Sequence, residues 1–157
     1  MNKNFDVVIV GAGAAGLMCA IEAGKRNKKV VIIEHTSKIA EKIRSSGGGR
    51  CNFTNMYSND DNFLSNNNHF CKSAFAKYTQ NDFIDLVKKH KIKFHEKKLG
   101  QLFCDNSAKD IIEMLITECE TQKVEIKINT KTKSIRSEEN LYILETEKKE
   151  KFVCSSL

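Results

Sequence analysis

The chain has 157 residues, enough to bury one respectable core, so the length sets one domain or part of one. Charged residues make up 29% and hydrophobic residues 40%, an ordinary globular balance, and no uninterrupted apolar run approaches the length of a membrane span. The net charge of +6 comes from lysines dispersed along the chain, with only four arginines; this reads as a solvated lysine surface, not the arginine-rich, aromatic-interleaved pattern of a nucleic-acid binder.

The first predicted element is a buried strand, Asp6-Val7-Val8-Ile9-Val10, apolar and β-branched. Gly11, Gly13 and Gly16 follow in the spacing G-x-G-x-x-G, and a small-residue helix then runs from Ala14 to about Arg26. In that helix Cys19 reads as a small core residue. A second β-branched strand, Val30-Val31-Ile32-Ile33, ends on Glu34. Strand, glycine turn, helix, strand and terminal acid over residues 1–34 together form a dinucleotide fingerprint. Gly11 allows the tight turn, Gly13 lets backbone N–H groups approach a pyrophosphate, and Gly16 lets the helix pack on the strand. Ala14 and Ala15 open the helix, whose N-terminus favours phosphate. Glu34 can accept both ribose hydroxyls and would repel a 2′-phosphate, which points to FAD or NAD over NADP.

Lys42 and Ile43 precede a second unusual stretch over residues 45–55, SSGGGRCNFTN. Gly47, Gly48 and Gly49 suit a backbone passing close to something flat or charged. Arg50 can fork onto a phosphate, carboxylate or flavin carbonyl, and Asn52 offers both donor and acceptor. Cys51 has two readings, a redox thiol beside an arginine or a packing residue, and packing is the simpler one.

Residues 56–69 read as a loop or lid. Helices are expected over about 70–78 and over 82–90, the latter with Asn81 as N-cap and Phe83, Leu86 and Val87 inward. Ile92 to His95 and Leu99 to Cys104 form a hairpin. His69, His90 and His95 lack ligand spacing and read as surface residues. Ser107 caps an amphipathic helix with Asp110 at the third position of a capping box, and its core face is Ile111, Ile112, Leu115, Ile116 and Cys119. Residues 124–128 form the third parallel strand, and 132–136, 141–146 and 151–154 form three antiparallel strands. The six cysteines have no metal-ligand spacing and no C-x-x-C, so they read as free thiols of a cytoplasmic protein, and no metal site is expected.

GAGAAG followed by Lys42, Ile43 and the run Ser46 to Asn55 resembles the BaiN-type, aminoacetone-oxidase-like family of FAD-dependent, NAD(P)-linked oxidoreductases. The resemblance implies an α/β fold: a Rossmann-like FAD-binding domain of the glutathione-reductase type, with a parallel three-layer sheet and a β-meander. It implies FAD as cofactor, NAD(P)H as electron donor, a small-molecule substrate, and hydride transfer at the flavin N5. It also implies that Lys42, Gly47, Gly48, Gly49, Arg50, Cys51 and Asn52 contact or flank the cofactor. Gly100 to Cys104 departs at two positions from the family's G-[RK]-x-F-P segment, which bears on substrate preference. Family members run well over twice this length, so the chain is expected to be a truncated, N-terminal portion. No residue stands out as a catalytic acid or base. A rival class is a non-catalytic FAD- or NAD-binding module. No membrane or nucleic-acid partner is expected.

Overall fold

A computed structural model describes residues 2–157. Two compact units are distinguished: the residues up to Lys42 with Leu115–Leu157, and Ile43–Met114.

The first unit begins with a short strand, β1 (Asn2–Asn4), and continues directly into β2 (Val7–Val10). Helix α1 (Ala14–Gly24) and strand β3 (Val30–Ile33) follow, and β3 is buried at every residue, as its continuous apolar run requires. β3 pairs in parallel with β2 on one side, Val7 opposite Val30, and with β7 (Glu125–Lys127) on the other. On the free side of β2, Ser156 bridges in parallel to Val7, and Val8 N–H donates to Ser156 O at 3.0 Å. Strand order therefore reverses around β2, which makes the turn after β2 a topological switch point, the place where open α/β sheets take ligands.

The expected meander is present as β8 (Thr132–Glu138), β9 (Leu141–Thr146) and β10 (Lys151–Cys154), antiparallel in that order. Beyond β10 lies β1, paired in parallel with Asn2 opposite Lys151. The same register carries on to Val7 opposite Ser156, so two neighbouring segments leave the meander and enter the parallel sheet together. Alternate residues Leu144, Phe152 and Cys154 bury one meander face with Phe5, Val8, Val31 and Ile33. On the other face of the parallel sheet α1 is seated by Leu17 and Ile21, and Leu17 O accepts a long contact from Cys119 Sγ at 3.8 Å. Cys119 belongs to α5 (Ala108–Thr121), whose buried residues include Ile111, Ile112 and Leu115 but also Met114; Ile116 is only half-buried. Ser107 starts this helix, its Oγ accepting from Lys109 N–H at 3.2 Å.

The second unit is built on a three-stranded antiparallel sheet, with β6 (Gln101–Cys104) between β4 (Asn52–Asn55) and β5 (Phe94–Glu96). A short helix α2 (Glu41–Ser45) leads into it from the first unit. Phe53 on β4 meets Phe94 edge-on at 5.4 Å and Phe83 of α4 (Gln80–Lys89) at 6.1 Å.

Several expectations are corrected. Thr79, not Asn81, caps α4: its hydroxyl accepts from Asp82 N–H while the Asp82 carboxylate accepts from Thr79 N–H at 2.6 Å. The reciprocal pair satisfies two terminal donors at once, which a cap at Asn81 would not. The inward face of α4 is Ile84 and Val87, with Phe83 and Leu86 at its margins. The helix expected over 70–78 is the single turn α3 (Lys72–Phe75). α1 ends at Gly24, packed so tightly on Gln122 that an added Cβ would lie 2.5 Å from Gln122 Cβ. Cys19 is exposed, because α1 turns only its Leu17, Ala20 and Ile21 side inward.

Phe152 is fully buried in the cluster between the sheets. Phe152→Ala is expected to cost about 3–5 kcal/mol, read as a lowered midpoint in urea unfolding.

Candidate dinucleotide site

The turn after β2 is shaped by three different constraints. Gly11 sits at φ +104°, a conformation other residues resist, and its N–H donates to Ile33 O at 2.8 Å. Gly16 is glycine for packing: a Cβ there would stand 2.0 Å from Gly11 O. Around Gly13 a Cβ would meet nothing within 4 Å, so the space over the turn is open to a ligand. Gly13 is also the N-cap of α1 and brings no side chain to the helix end. The N–H groups of Ala14, Ala15 and Gly16 have no carbonyl one turn back, and the positive end of an eleven-residue helix faces that space.

Glu34 is 7% exposed and ties the turn down. Its Oε2 accepts from Ala12 N–H at 2.8 Å. Its Oε1 accepts from Thr36 N–H at 2.8 Å and lies 2.9 Å from Thr36 Oγ1 and 3.0 Å from His35 Nδ1. Burial works to raise the pKa of this carboxyl, but the bonds from Thr36 and Ala12 and the nearby His35 outweigh it and hold the group below its ordinary value. Oε1 is fully engaged, so the free acceptor capacity for a ribose lies on Oε2, where one hydroxyl can bond; the sequence reading allowed two.

Beside the turn lies a cavity of about 200 Å³ lined by Val10, Gly11, Ile33, His35 and Thr130 to Thr132. Thr130 N–H donates to Glu34 O at 2.9 Å, which sets the cavity wall against β3. Thr132 Oγ1 is buried with no hydrogen-bond partner. Thr36, Thr130 and Thr132 escaped sequence reasoning because nothing local marks a threonine that the third strand and the meander carry to this turn.

In the second unit the triple glycine is a tight left-handed passage: φ is +57°, +67° and +86° at Gly47, Gly48 and Gly49. The three are not equivalent. A Cβ on Gly47 would strike Asn52 N and the Phe103 ring at 2.7 Å, whereas Gly48 and Gly49 face open space. Arg50 is exposed and its guanidinium has no partner among the described residues, so it is available to an anion. Asn52 begins β4, whereas Lys42 is an exposed residue of α2 that is already engaged within the protein.

Cys51 is buried, and burial pushes its pKa up despite a hydrogen bond from Ser46, so it is a neutral thiol rather than a poised thiolate. Burial also lifts Cys104 to about 12 and Cys119 to about 11. Among the described residues no group of His, Cys, Asp and Glu could hold a metal ion, and no helix is long and apolar enough to cross a membrane.

An open glycine turn at a helix N-terminus and an acid closing the second strand fit the adenosine diphosphate half of FAD, and the fold is a Rossmann-like FAD-binding domain. Residues 5–157 match the model of the HI0933-like protein Rossmann domain, and the chain belongs to that family. It is 50% identical over 143 residues to a ribosomal RNA dihydrouridine synthase of Escherichia coli K12, and 45% over 140 residues to an enzyme of the same name from Haemophilus influenzae. These alignments take in 91% and 89% of the chain but only 36% and 35% of the relatives, so the chain spans about a third of their length. The BaiN-type resemblance holds at a distance: a 3-dehydro-bile acid delta(4,6)-reductase of Clostridium scindens is 24% identical over 131 residues, 82% of the chain and 32% of that protein. Among solved structures, a 3-ketosteroid-delta4-(5alpha)-dehydrogenase of Rhodococcus jostii superposes with a TM-score of 0.66 at 12% identity, covering 98% of this chain and 44% of that one, a likeness of fold.

Because the Glu34 carboxyl is held below its ordinary value of 4.5, its charged form stabilises the fold at neutral pH, and that contribution is lost as pH falls through the lowered value. The stability advantage of the native chain over Glu34→Gln is therefore expected at pH 7 and to shrink below about pH 4.5, measured by thermal melts across pH. With a thiol reagent at pH 8, Cys19 is expected to react at once and the five buried cysteines only on unfolding.

Proposed function

We propose that this chain is the FAD-binding part of an oxidoreductase whose full-length form reduces uridine to dihydrouridine in ribosomal RNA, using NAD(P)H as electron donor. The observation that carries the reading is the 50% identity, over nearly the whole chain, to an enzyme of that name. In this reading the substrate is a base within RNA rather than a free small molecule, and the enzyme works in the cytoplasm, where ribosomes are.

The chain's own residues hold and orient. The open backbone at Gly13 and the N–H groups of Ala14 and Ala15 receive the pyrophosphate. Oε2 of Glu34 takes one ribose hydroxyl, and its charge disfavours a 2′-phosphate. The cavity beside the turn accepts the purine end. In the second unit, Gly48, Gly49 and Arg50 offer a bare backbone and a free guanidinium to a flat or anionic group. When bound and reduced, FAD would supply a hydride to one carbon of the uracil C5–C6 double bond, the other carbon taking a proton.

Two substitutions and one extension test this. Gly13→Val is expected to abolish FAD binding, followed by quenching of flavin fluorescence, because its side chain fills the phosphate approach. Glu34→Ala is expected to weaken it by about 1–3 kcal/mol. The gene extended to the length of the relatives, given unmodified ribosomal RNA and NAD(P)H, is expected to yield dihydrouridine by mass spectrometry. Retained FAD binding without dihydrouridine would remove the RNA substrate, and a cofactor that NAD(P)H does not reduce would favour a binding module.

A further inference from the structure

Eleven residues, Lys88 to Lys98, carry six lysines and two histidines against one carboxylate, Glu96. The lysines that composition shows as dispersed are concentrated here, and all six are exposed. Lys88 and Lys89 have an ordinary reason: they close the last turn of α4, where cations complement the helix end, and Lys88 pairs with Asp85 at 3.4 Å. Lys91, Lys93, Lys97 and Lys98 have no such reason. They form no ion pair among the described residues, and unlike the unpaired lysines elsewhere they are packed into one short stretch with a single carboxylate.

The nearby acids are turned to other work. The Glu96 carboxylate accepts from Gly100 N–H at 2.8 Å, and Asp105 holds His95 Nδ1 at 2.7 Å. β5 is an edge strand, so Lys93, His95 and Lys97 alternate onto one face at intervals of about 6.8 Å. On that face His95 lies nearly parallel to Phe103, its partner across the ladder, at 6.4 Å and 20°. Lys97 Nζ stands 5.2 Å from the centre of the same ring. Phe103 in turn packs against Gly47, so this basic edge runs up to the triple-glycine loop.

Unneutralised cations spaced along a strand, with the half-exposed His95 ring between them, match what single-stranded RNA requires: charges for successive phosphates and a flat face for a base. We propose that the β5 edge, Lys91, Lys93, His95, Lys97 and Lys98, binds the phosphate backbone of single-stranded RNA and leads it toward the Gly48–Arg50 loop. The choice of RNA among polyanions rests on the ribosomal-RNA reading above.

The test is fluorescence anisotropy of a fluorescein-labelled single-stranded RNA of about twenty nucleotides, titrated with the native chain and with variants over a range of salt. Lys91→Gln, Lys93→Gln, Lys97→Gln and Lys98→Gln combined are expected to lower affinity tenfold or more and to flatten the slope of log affinity against log salt by about 3, the loss of four phosphate contacts. The four corresponding arginine substitutions are expected to keep binding. A control that removes the same charge elsewhere, Lys28→Gln, Lys123→Gln, Lys148→Gln and Lys149→Gln, is expected to bind as the native chain does. Equal loss in both glutamine variants, no loss in the first, or binding to phosphatidylserine vesicles but not to RNA would each overturn the proposal. Dihydrouridine formation by the extended protein separates the two readings. If it persists while the lysine substitutions change nothing, the edge proposal fails and the substrate stands; lysine-dependent RNA binding without it fails the substrate and leaves the edge.

Discussion

The hydrogen bond from Ala12 N–H to the Glu34 carboxylate is the contact on which the first unit's site depends. It joins the middle of the glycine turn to the end of β3, so the turn cannot change shape without stranding a buried charge. Stranding such a charge is costly, whereas a carboxylate with several N–H donors is stable in ionised form. Ala12 is held at its other end as well, since its carbonyl accepts from Ala40 N–H at 2.9 Å. With both its polar groups committed, Ala12 leaves the N-terminus of α1 in one orientation, and the donors there point into free space rather than at protein.

The surrounding layers hold β2 and β3 level enough for that bond to form. β3 is buried at every residue between two parallel neighbours, and β2 is flanked by β3 and Ser156. The ladder that begins at Asn2 and Lys151 and continues to Val7 and Ser156 makes the meander and the parallel sheet share one register. The cluster of Phe5, Val8, Leu144 and Phe152 fills the space where the segments cross from one sheet to the other. A one-residue slip there would turn this apolar set outward, which is why the register is strongly specified.

Glycine serves separate ends at neighbouring positions. Gly11 supplies a backbone angle, Gly16 and Gly47 remove a clash with protein, and Gly13, Gly48 and Gly49 leave space unfilled. Only the last group bears on a ligand. A buried, neutral Cys51 behind the loop adds packing, which agrees with the simpler of its two sequence readings.

The amino-acid sequence by itself determined the elements whose signals are local. The β-branched runs, the glycine spacing, the acid at Glu34, the amphipathic helix after Ser107 and the three meander strands were all legible, because period and turn chemistry act within a few residues. Tertiary structure alone decided the rest. Asn2 to Asn4 has no strand propensity and becomes a strand because β10 offers it a ladder. Thr132 comes beside the glycine turn, and Cys19 stays outside, only once distant segments have packed. Such facts depend on which surfaces meet across long stretches of chain, and no window of neighbouring residues holds that information.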